Sequence, residues 1–260
     1  MTPKNKKTCD VYIISWKDMH DNAIEIAKSL VGINGKVVIV YSDPEPNFLL
    51  PHIEGILSIK RPDEEFFGPK FKACLDDCDA DLMMIIHADT ENPNWRNLFS
   101  TGYESMINHS SIGIWAPYIE WTPRKPSRTN IGKIGESSFV FTAWTDTTIF
   151  CIRKQTIKRL RGADYSKNNF GWGITPMMVA HVCTLSLIPV VDYSVKAFHR
   201  SGPNKRGYPS ETAAEQKMNF LEQLSPKEKV ILKLMDAIQN RNEMIESLKN
   251  QIAVKNEKLD

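Results

Sequence analysis

The 260-residue sequence predicts an α/β fold: a mostly parallel sheet flanked by helices, followed by a helical tail. Short runs rich in β-branched and aliphatic residues alternate with stretches whose apolar positions recur at helical spacing. One run, Leu82-Met83-Met84-Ile85-Ile86, is apolar throughout, as a strand covered on both faces must be. At 42% apolar, 25% charged and 9% aromatic residues, the composition is that of a globular domain and excludes extended disorder.

The elements follow in order. Residues 11–16 read as a strand, and residues 20–31 as a helix with Ala23, Ile24, Ala27, Leu30 and Val31 on one face. Gly32 and Gly35 end that helix, residues 36–41 form a second buried strand, and Ser42-Asp43-Pro44 breaks it. A third strand over 56–59, a helix over 66–78 and a strand over 81–90 come next. Residues 94–108 predict a helix, and residues 111–118, 138–142 and 147–153 predict strands. A basic helix over 154–161 precedes a polar loop, 168–176, in which glycines flank Trp172. Residues 177–184 continue as a helix whose first turn accommodates Pro176, residues 187–191 form a final strand, and residues 199–209 read as loop.

The tail differs in kind. From Ile231, apolar residues recur at heptad spacing through Leu234, Ile238, Ile245, Leu248, Ile252 and Leu259, interrupted by Arg241 and Lys255. This predicts either a coiled coil joining copies of the chain into a homo-oligomer or a helix folded back on its own domain. The boundary is placed between a globular domain, 1–215, and a helical tail, 216–260.

The net charge of +2 conceals an asymmetry. Residues 124–206 hold 14 Lys and Arg against 4 Asp and Glu, whereas residues 1–123 hold 11 against 18. The basic centre, with Arg124, Lys125 and Arg128, points to a polyanionic partner such as nucleic acid, a nucleotide diphosphate or an acidic glycan; solvated surface is the plainer alternative. Five cysteines without a Cys-x-x-Cys pair suit a reducing compartment. No apolar stretch approaches the roughly 18 to 20 residues of a membrane span, and no leader-type cleavage pattern follows the first lysines. A soluble, cytoplasmic protein is predicted.

Parallel sheets bind ligands beyond the carboxyl ends of their strands, where Ser15, Trp16, Asp43, His87 and Asp89 fall. No Gly-x-Gly-x-x-Gly follows the first strand and no Gly-x-x-x-x-Gly-Lys-Ser/Thr occurs, which disfavours NAD-type and P-loop chemistry. His87-Ala88-Asp89 offers imidazole and carboxylate, a donor set for Mn²⁺ or Mg²⁺, ions that also bridge phosphate oxygens.

The strand ending in His87-Ala88-Asp89, the earlier Asp43, the Gly171-Trp172-Gly173 loop and the late His199 together resemble nucleotide-sugar glycosyltransferases of the GT-A fold over residues 9–210. In that family an Asp-x-Asp motif holds a metal on the donor's diphosphate; here His87 replaces the first Asp. The resemblance implies Asp89, with His87 and His199, as metal ligands. It places Ser15, Trp16, Asp43, Lys205 and Arg206 at the donor, and Trp172, Gly173, Thr175, Arg124, Lys125 and Arg128 at the acceptor. The segment from Asn169 to Gly173 resembles Phe-x-Gly-Trp-Gly-x-Glu-Asp of inverting members, but Thr175-Pro176 replaces the acidic pair, so Asp146, Asp164 and Glu120 are the candidate bases, and a retaining mechanism without such a base is the alternative.

The implied activity is metal-assisted transfer of a sugar from a nucleotide sugar, UDP-linked by expectation, to an acceptor hydroxyl. The favoured acceptor is 5-hydroxymethylcytosine in DNA, by similarity to phage-type DNA glycosyltransferases, which would put the protein in the host cytoplasm. Surface polysaccharide or lipopolysaccharide is an alternative, with the basic segment 154–161 resting on a membrane surface. A non-catalytic nucleotide- or DNA-binding protein is the other.

Overall fold

A computed structural model describes residues 7–120, 125–199 and 209–256. Strand β1 (Cys9–Ser15) leads into helix α1 (His20–Leu30), then come β2 (Val37–Ser42), β3 (Leu57–Arg61), α2 (Phe67–Asp77) and β4 (Leu82–His87). The short β5 (Thr90–Glu91) precedes α3 (Trp95–Asn108), β6 (Ile112–Glu120), α4 (Pro126–Thr129), β7 (Asn130–Lys133) and β8 (Phe139–Thr142). Next are β9 (Ile149–Arg153), α5 (Lys154–Arg161), α6 (Ile174–Thr184), β10 (Ile188–His199), α7 (Ser210–Leu221) and α8 (Pro226–Asn256). The strands form one mixed sheet in the order β3-β2-β1-β4-β9-β6-β10-β8-β7, with β5 paired to β10.

The alternation of strand and helix explains the parallel half. β3, β2, β1 and β4 are mutually parallel, each joined by a crossover helix or loop. Their side chains divide by parity. Tyr12, Ile14, Val38, Val40, Met83 and Ile85 face one core layer, shared with Phe71 of α2, Leu160 of α5 and Met178 of α6. Val11, Ile13, Val37, Ile39, Met84 and Ile86 face the other, shared with Leu30 of α1 and Leu98 of α3. Burial on both faces is why β1, β2 and β4 carry no polar alternation, whereas the edge strand β3 is exposed or half-buried along its length.

The second half departs from the parallel expectation. β9 runs antiparallel between β4 and β6, and β8 runs antiparallel to β10. β10 spans 12 residues where the hydrophobic run predicts five, so His199 ends a strand and does not sit in a loop. The continuation is masked in the sequence by polar Asp192-Tyr193-Ser194, which form a register shift. There the Asp192 carboxylate, buried, accepts from Trp115 Nε1 (3.1 Å), Ser138 Oγ (2.7 Å) and Ser194 Oγ (2.6 Å).

The tail begins by packing on its own domain. Met235 of α8 joins the first core layer with Phe220 and Leu221 of α7, and Ile231 and Ile238 pack against it. Buried Glu228 accepts from Arg159 of α5 (3.0 Å), and Asn242 donates to the Arg128 and Asn130 carbonyls. Alternate positions of the predicted seam therefore separate: Ile231 and Ile238 turn inward, whereas Leu234, Ile245, Leu248 and Ile252 are exposed.

Much of the basic centre is also spent internally. Arg128 pairs with Glu243 (3.1 Å), Arg153 donates to the Met106, His109 and Ile112 carbonyls, and Arg161 donates to carbonyls at the end of α2. The apolar face of α5, through Ile157 and Leu160, lies in the core, so the membrane-surface expectation for this helix does not hold. No helix of the described residues is long and apolar enough to cross a membrane.

Candidate active site

The carboxyl ends of β1 and β4 open on a cavity of about 400 Å³. Trp16 follows β1; Phe67 and Lys70 come from α2; His87 ends β4 and Asp89 follows it. The lining also includes Trp144 to Thr148, between β8 and β9, and Phe170 to Gly173 with Thr175 at the start of α6. His199 and Lys217 complete it.

Local sequence fixes each side chain. The loop before α6 turns through Gly171 (φ +75°) and Gly173 (φ +96°), a backbone region that L side chains rarely adopt. Trp172 is thereby held at the rim, 37% exposed. The long β10, paired with β5 through His199 and Thr90, brings His199 Nε2 to 2.9 Å from Asp89 Oδ2. Burial works to raise the Asp89 carboxyl, but the hydrogen bond with His199 and the nearby His87 outweigh it and hold it below its ordinary value. Burial pushes the His87 imidazole down to about 4. That ring lies against Phe67 at 4.7 Å and edge-on to Trp16 at 6.4 Å.

The remaining predicted residues divide. Asp146 lines the cavity and accepts from the Thr148 amide at 2.9 Å. Asp164 and Glu120 do not line it: Asp164 accepts from the Ser166 amide in an exposed turn, and Glu120 accepts from Lys196 at 3.1 Å. Ser15 and Asp43 lie behind the wall, linked through His20. Ser15 Oγ is 2.9 Å from His20 Nδ1, and His20 Nε2 is 3.1 Å from Asp43 Oδ2. Phe48 stacks on that imidazole at 4.9 Å. Burial works to raise the Asp43 carboxyl, and the Glu45 amide and His20 together overcome it, so it lies below its ordinary value. Lys125 precedes α4 and does not line the cavity, and Arg128 is engaged by α8. Arg124, Lys205 and Arg206 lie outside the described residues.

Sequence reasoning missed Phe66, Phe67, Lys70, Trp144, Thr145, Thr148 and Lys217, all of which line the cavity. Lys70 left a signal. It shares the buried face of α2 with Phe71 and Cys74, an odd place for an ammonium. Only 2% exposed, it donates to the Ser15 carbonyl at 2.9 Å.

The donor set also tests the implied cation. Among the described residues, no three His, Cys, Asp or Glu side chains converge closely enough to hold a metal ion, so the three-ligand expectation of Asp89, His87 and His199 is not met. Asp89 and His199 do meet, and Asp89 Oδ1 is buried without a partner. One carboxylate and one imidazole suit a divalent ion whose other positions are filled by water and substrate phosphates.

No known family profile matches the chain, and no curated protein sequence does. Solved structures do. The mannosyltransferase PcManGT from Pyrobaculum calidifontis, in complex with GDP-Man and Mn²⁺, matches with a TM-score of 0.56 at 11% identity, covering 91% of this chain and 71% of that one. GalNAc-T7 with UDP, GalNAc and Mn²⁺ matches with a TM-score of 0.58 at 10% identity, covering 87% of this chain and 49% of that one. A mycobacterial protein matches at 0.52 and 12% identity, over 83% and 73%. The chain has a GT-A-type fold. Its sheet is thus that of a known architecture. At such identities the likeness is one of fold, and the chain spans about half the length of GalNAc-T7.

Proposed function

We propose that the protein transfers a sugar from a nucleoside diphosphate sugar, UDP-linked by preference, to an acceptor hydroxyl with a divalent cation, Mn²⁺ or Mg²⁺, at Asp89 and His199. The carrying observation is the Asp89–His199 pair, 2.9 Å apart, at the carboxyl end of the sheet in a cavity that also holds a buried lysine. The cation, when bound, supplies positive charge to the departing diphosphate. The Lys70 ammonium adds charge from the floor. Trp16, Phe66 and Phe67 give the nucleoside flat apolar faces.

The acceptor oxygen attacks the anomeric carbon, the bond from that carbon to the diphosphate oxygen breaks, and the diphosphate leaves with the electron pair. The acceptor's proton goes to Asp146, which among the three candidate bases is the one that lines the cavity. Asp164 and Glu120 would have to act from outside it.

A DNA acceptor, 5-hydroxymethylcytosine included, needs a basic track for phosphates. Among the described residues, Arg128, Arg159 and Arg161 are already paired within the chain and supply no such track. The test is incubation with Mn²⁺ and a panel of nucleotide sugars, following released nucleoside diphosphate. Release that disappears with EDTA and in Asp89→Asn is expected. Tight nucleotide binding with no release from any donor would replace the transferase by a non-catalytic binder.

A further inference from the structure

The turn from β1 into α1 carries Trp16 into the cavity, and its backbone is held against cost. Asp18 has φ +70°, in the left-handed region, and Met19 at the N-cap of α1 makes no capping hydrogen bond with its side chain. His20, the first residue of α1, supplies the fastening. Its Nδ1 lies 2.9 Å from Ser15 Oγ at the end of β1, and its Nε2 lies 3.1 Å from Asp43 Oδ2 just beyond β2. The carboxylate only accepts, so Nε2 carries a proton, and in the neutral ring Nδ1 accepts from the Ser15 hydroxyl. Asp43 is anchored in turn, its Oδ1 accepting from the Glu45 amide at 2.8 Å. Lys60 ties down the same loop by donating to the Pro46 and Phe48 carbonyls at 2.6 and 2.7 Å, and Phe48 stacks on the imidazole. At the other end of the chain, the Ser15 carbonyl accepts from Lys70 on the cavity floor at 2.9 Å. Serine, histidine and aspartate also make up hydrolytic triads. Here the serine is fully buried and meets Nδ1 while the acid meets Nε2, the reverse of a triad, so these groups support and do not attack.

We propose that His20 is a positioning residue for the donor site: it ties the first turn of α1 to the ends of β1 and β2, and so holds Trp16 and, through Ser15, the Lys70 ammonium at the cavity. The inference rests on the transferase reading, in which Trp16 and Lys70 meet the nucleotide, and adds a residue that touches no substrate. Neither His20 nor Asp43 lines the cavity. Asp43, with both oxygens engaged, is the outer anchor of this support. Because the chain is buried from Lys70 to Asp43, each link is worth more than its exposed equivalent, and loss of one leaves a polar group without its partner.

The experiment uses the full chain with fluorotryptophan in place of tryptophan. Fluorine NMR then reports each indole, and Trp16→Phe and Trp115→Phe identify two of the signals. Binding of UDP and GDP with Mn²⁺ is titrated on the same samples. His20→Phe keeps a ring against Phe48 and removes both hydrogen bonds, whereas His20→Asn keeps an acceptor within reach of Ser15. His20→Phe is expected to shift the Trp16 signal and to weaken nucleotide binding about tenfold, the size of one lost buried hydrogen bond, while His20→Asn stays within about threefold of wild type. The signal of Trp115, in the core, should hold its place in both. The positioning role is overturned if the Trp16 signal of His20→Phe coincides with that of wild type, or if His20→Asn loses as much affinity as His20→Phe. Should His20→Phe fail to fold, Ser15→Ala decides in its stead: a displaced Trp16 signal supports the role and an unmoved one overturns it. If the wild-type chain binds neither nucleotide, the transferase reading fails, and the Trp16 signal alone decides the place of His20.

Discussion

Replacing Gly68 by alanine tests how the site is assembled. Gly68 lies in the first turn of α2, and its amide donates to the Asn169 carbonyl at 3.0 Å, while the Phe66 amide donates to Asn169 Oδ1 at 3.0 Å. A Cβ on Gly68 would lie 1.7 Å from the Asn168 carbonyl oxygen and 2.9 Å from its carbon. No rotamer relieves a clash between Cβ and backbone, so α2 and the loop must separate by about 1.5 Å or more to approach van der Waals distance. The overpacking costs about 1–3 kcal/mol and the two strained hydrogen bonds about 1 kcal/mol each, together about 3–5 kcal/mol. For a chain of this size that lowers the melting temperature by roughly 6–20 °C. Gly132→Ala is the control, because nothing lies within 4 Å of its Cβ position and its φ is not left-handed. Scanning calorimetry on both variants decides it. A Gly68→Ala protein melting within about 2 °C of wild type would refute the close approach and, with it, the account of how α2 fixes the loop carrying Phe170 and Trp172.

Asp89→Asn keeps shape and removes charge; nucleotide-sugar turnover should fall by about 10³-fold with the melting temperature little changed, and retention of more than a tenth of the activity would exclude Asp89 from the donor site. Burial works to raise the Glu228 carboxyl, but Arg159 and Ser225 hold it at about 2. Its folded value lies below the unfolded one of about 4.5, so its stabilisation is complete above pH 4.5 and drains as pH falls toward 2. That amounts to about 3 kcal/mol, because each unit is worth about 1.4 kcal/mol. Urea unfolding of Glu228→Gln between pH 5 and 2 should therefore show a pH dependence smaller by that amount, and an unchanged slope would refute the assignment. Replacing Lys125 and Arg128 together by alanine should leave the salt dependence of any DNA retention unchanged in a gel-shift series and cost under about 1 kcal/mol of stability, since the Arg128 pairs are exposed. A flatter salt slope would restore a nucleic-acid face.

The parallel half of the sheet was legible because strands buried on both faces leave unbroken apolar runs, as at Leu82–Ile86, and because His87 and Asp89 fall where such a strand ends. β10 was legible only to Val191. Beyond it Asp192 and Ser194 look like a turn, and the buried hydrogen bonds that make them part of a strand come from Trp115 and Ser138, distant in sequence. The Trp144–Thr148 part of the cavity lining was hidden for the same reason. Trp144 to Thr148 has no periodicity and no motif, and gains meaning only when it lines one cavity with Trp172 and Thr175. The charge asymmetry was less legible, because composition does not distinguish a guanidinium facing solvent from one capping α2, as Arg161 does.

His87 lies against Phe67 and close to Asp89 and His199 but does not join them in a three-ligand group, which has a consequence for how the proposed cation would be held. Two protein ligands, one of them neutral, are few for an ion that takes about six, so affinity must come from the donor's phosphates. Mn²⁺ paramagnetic resonance reads this directly, because free Mn²⁺ gives a sharp signal that binding removes. Titrated against the protein alone, the signal should persist into the millimolar range; added UDP should remove it at concentrations where UDP alone does not, and Asp89→Asn should restore it. Imidazole also favours Mn²⁺ over Mg²⁺, so a tenfold excess of Mg²⁺ should displace little of the bound ion. Tight Mn²⁺ binding to the nucleotide-free protein would show that a third side chain joins Asp89 and His199, and would return His87 to the coordination shell.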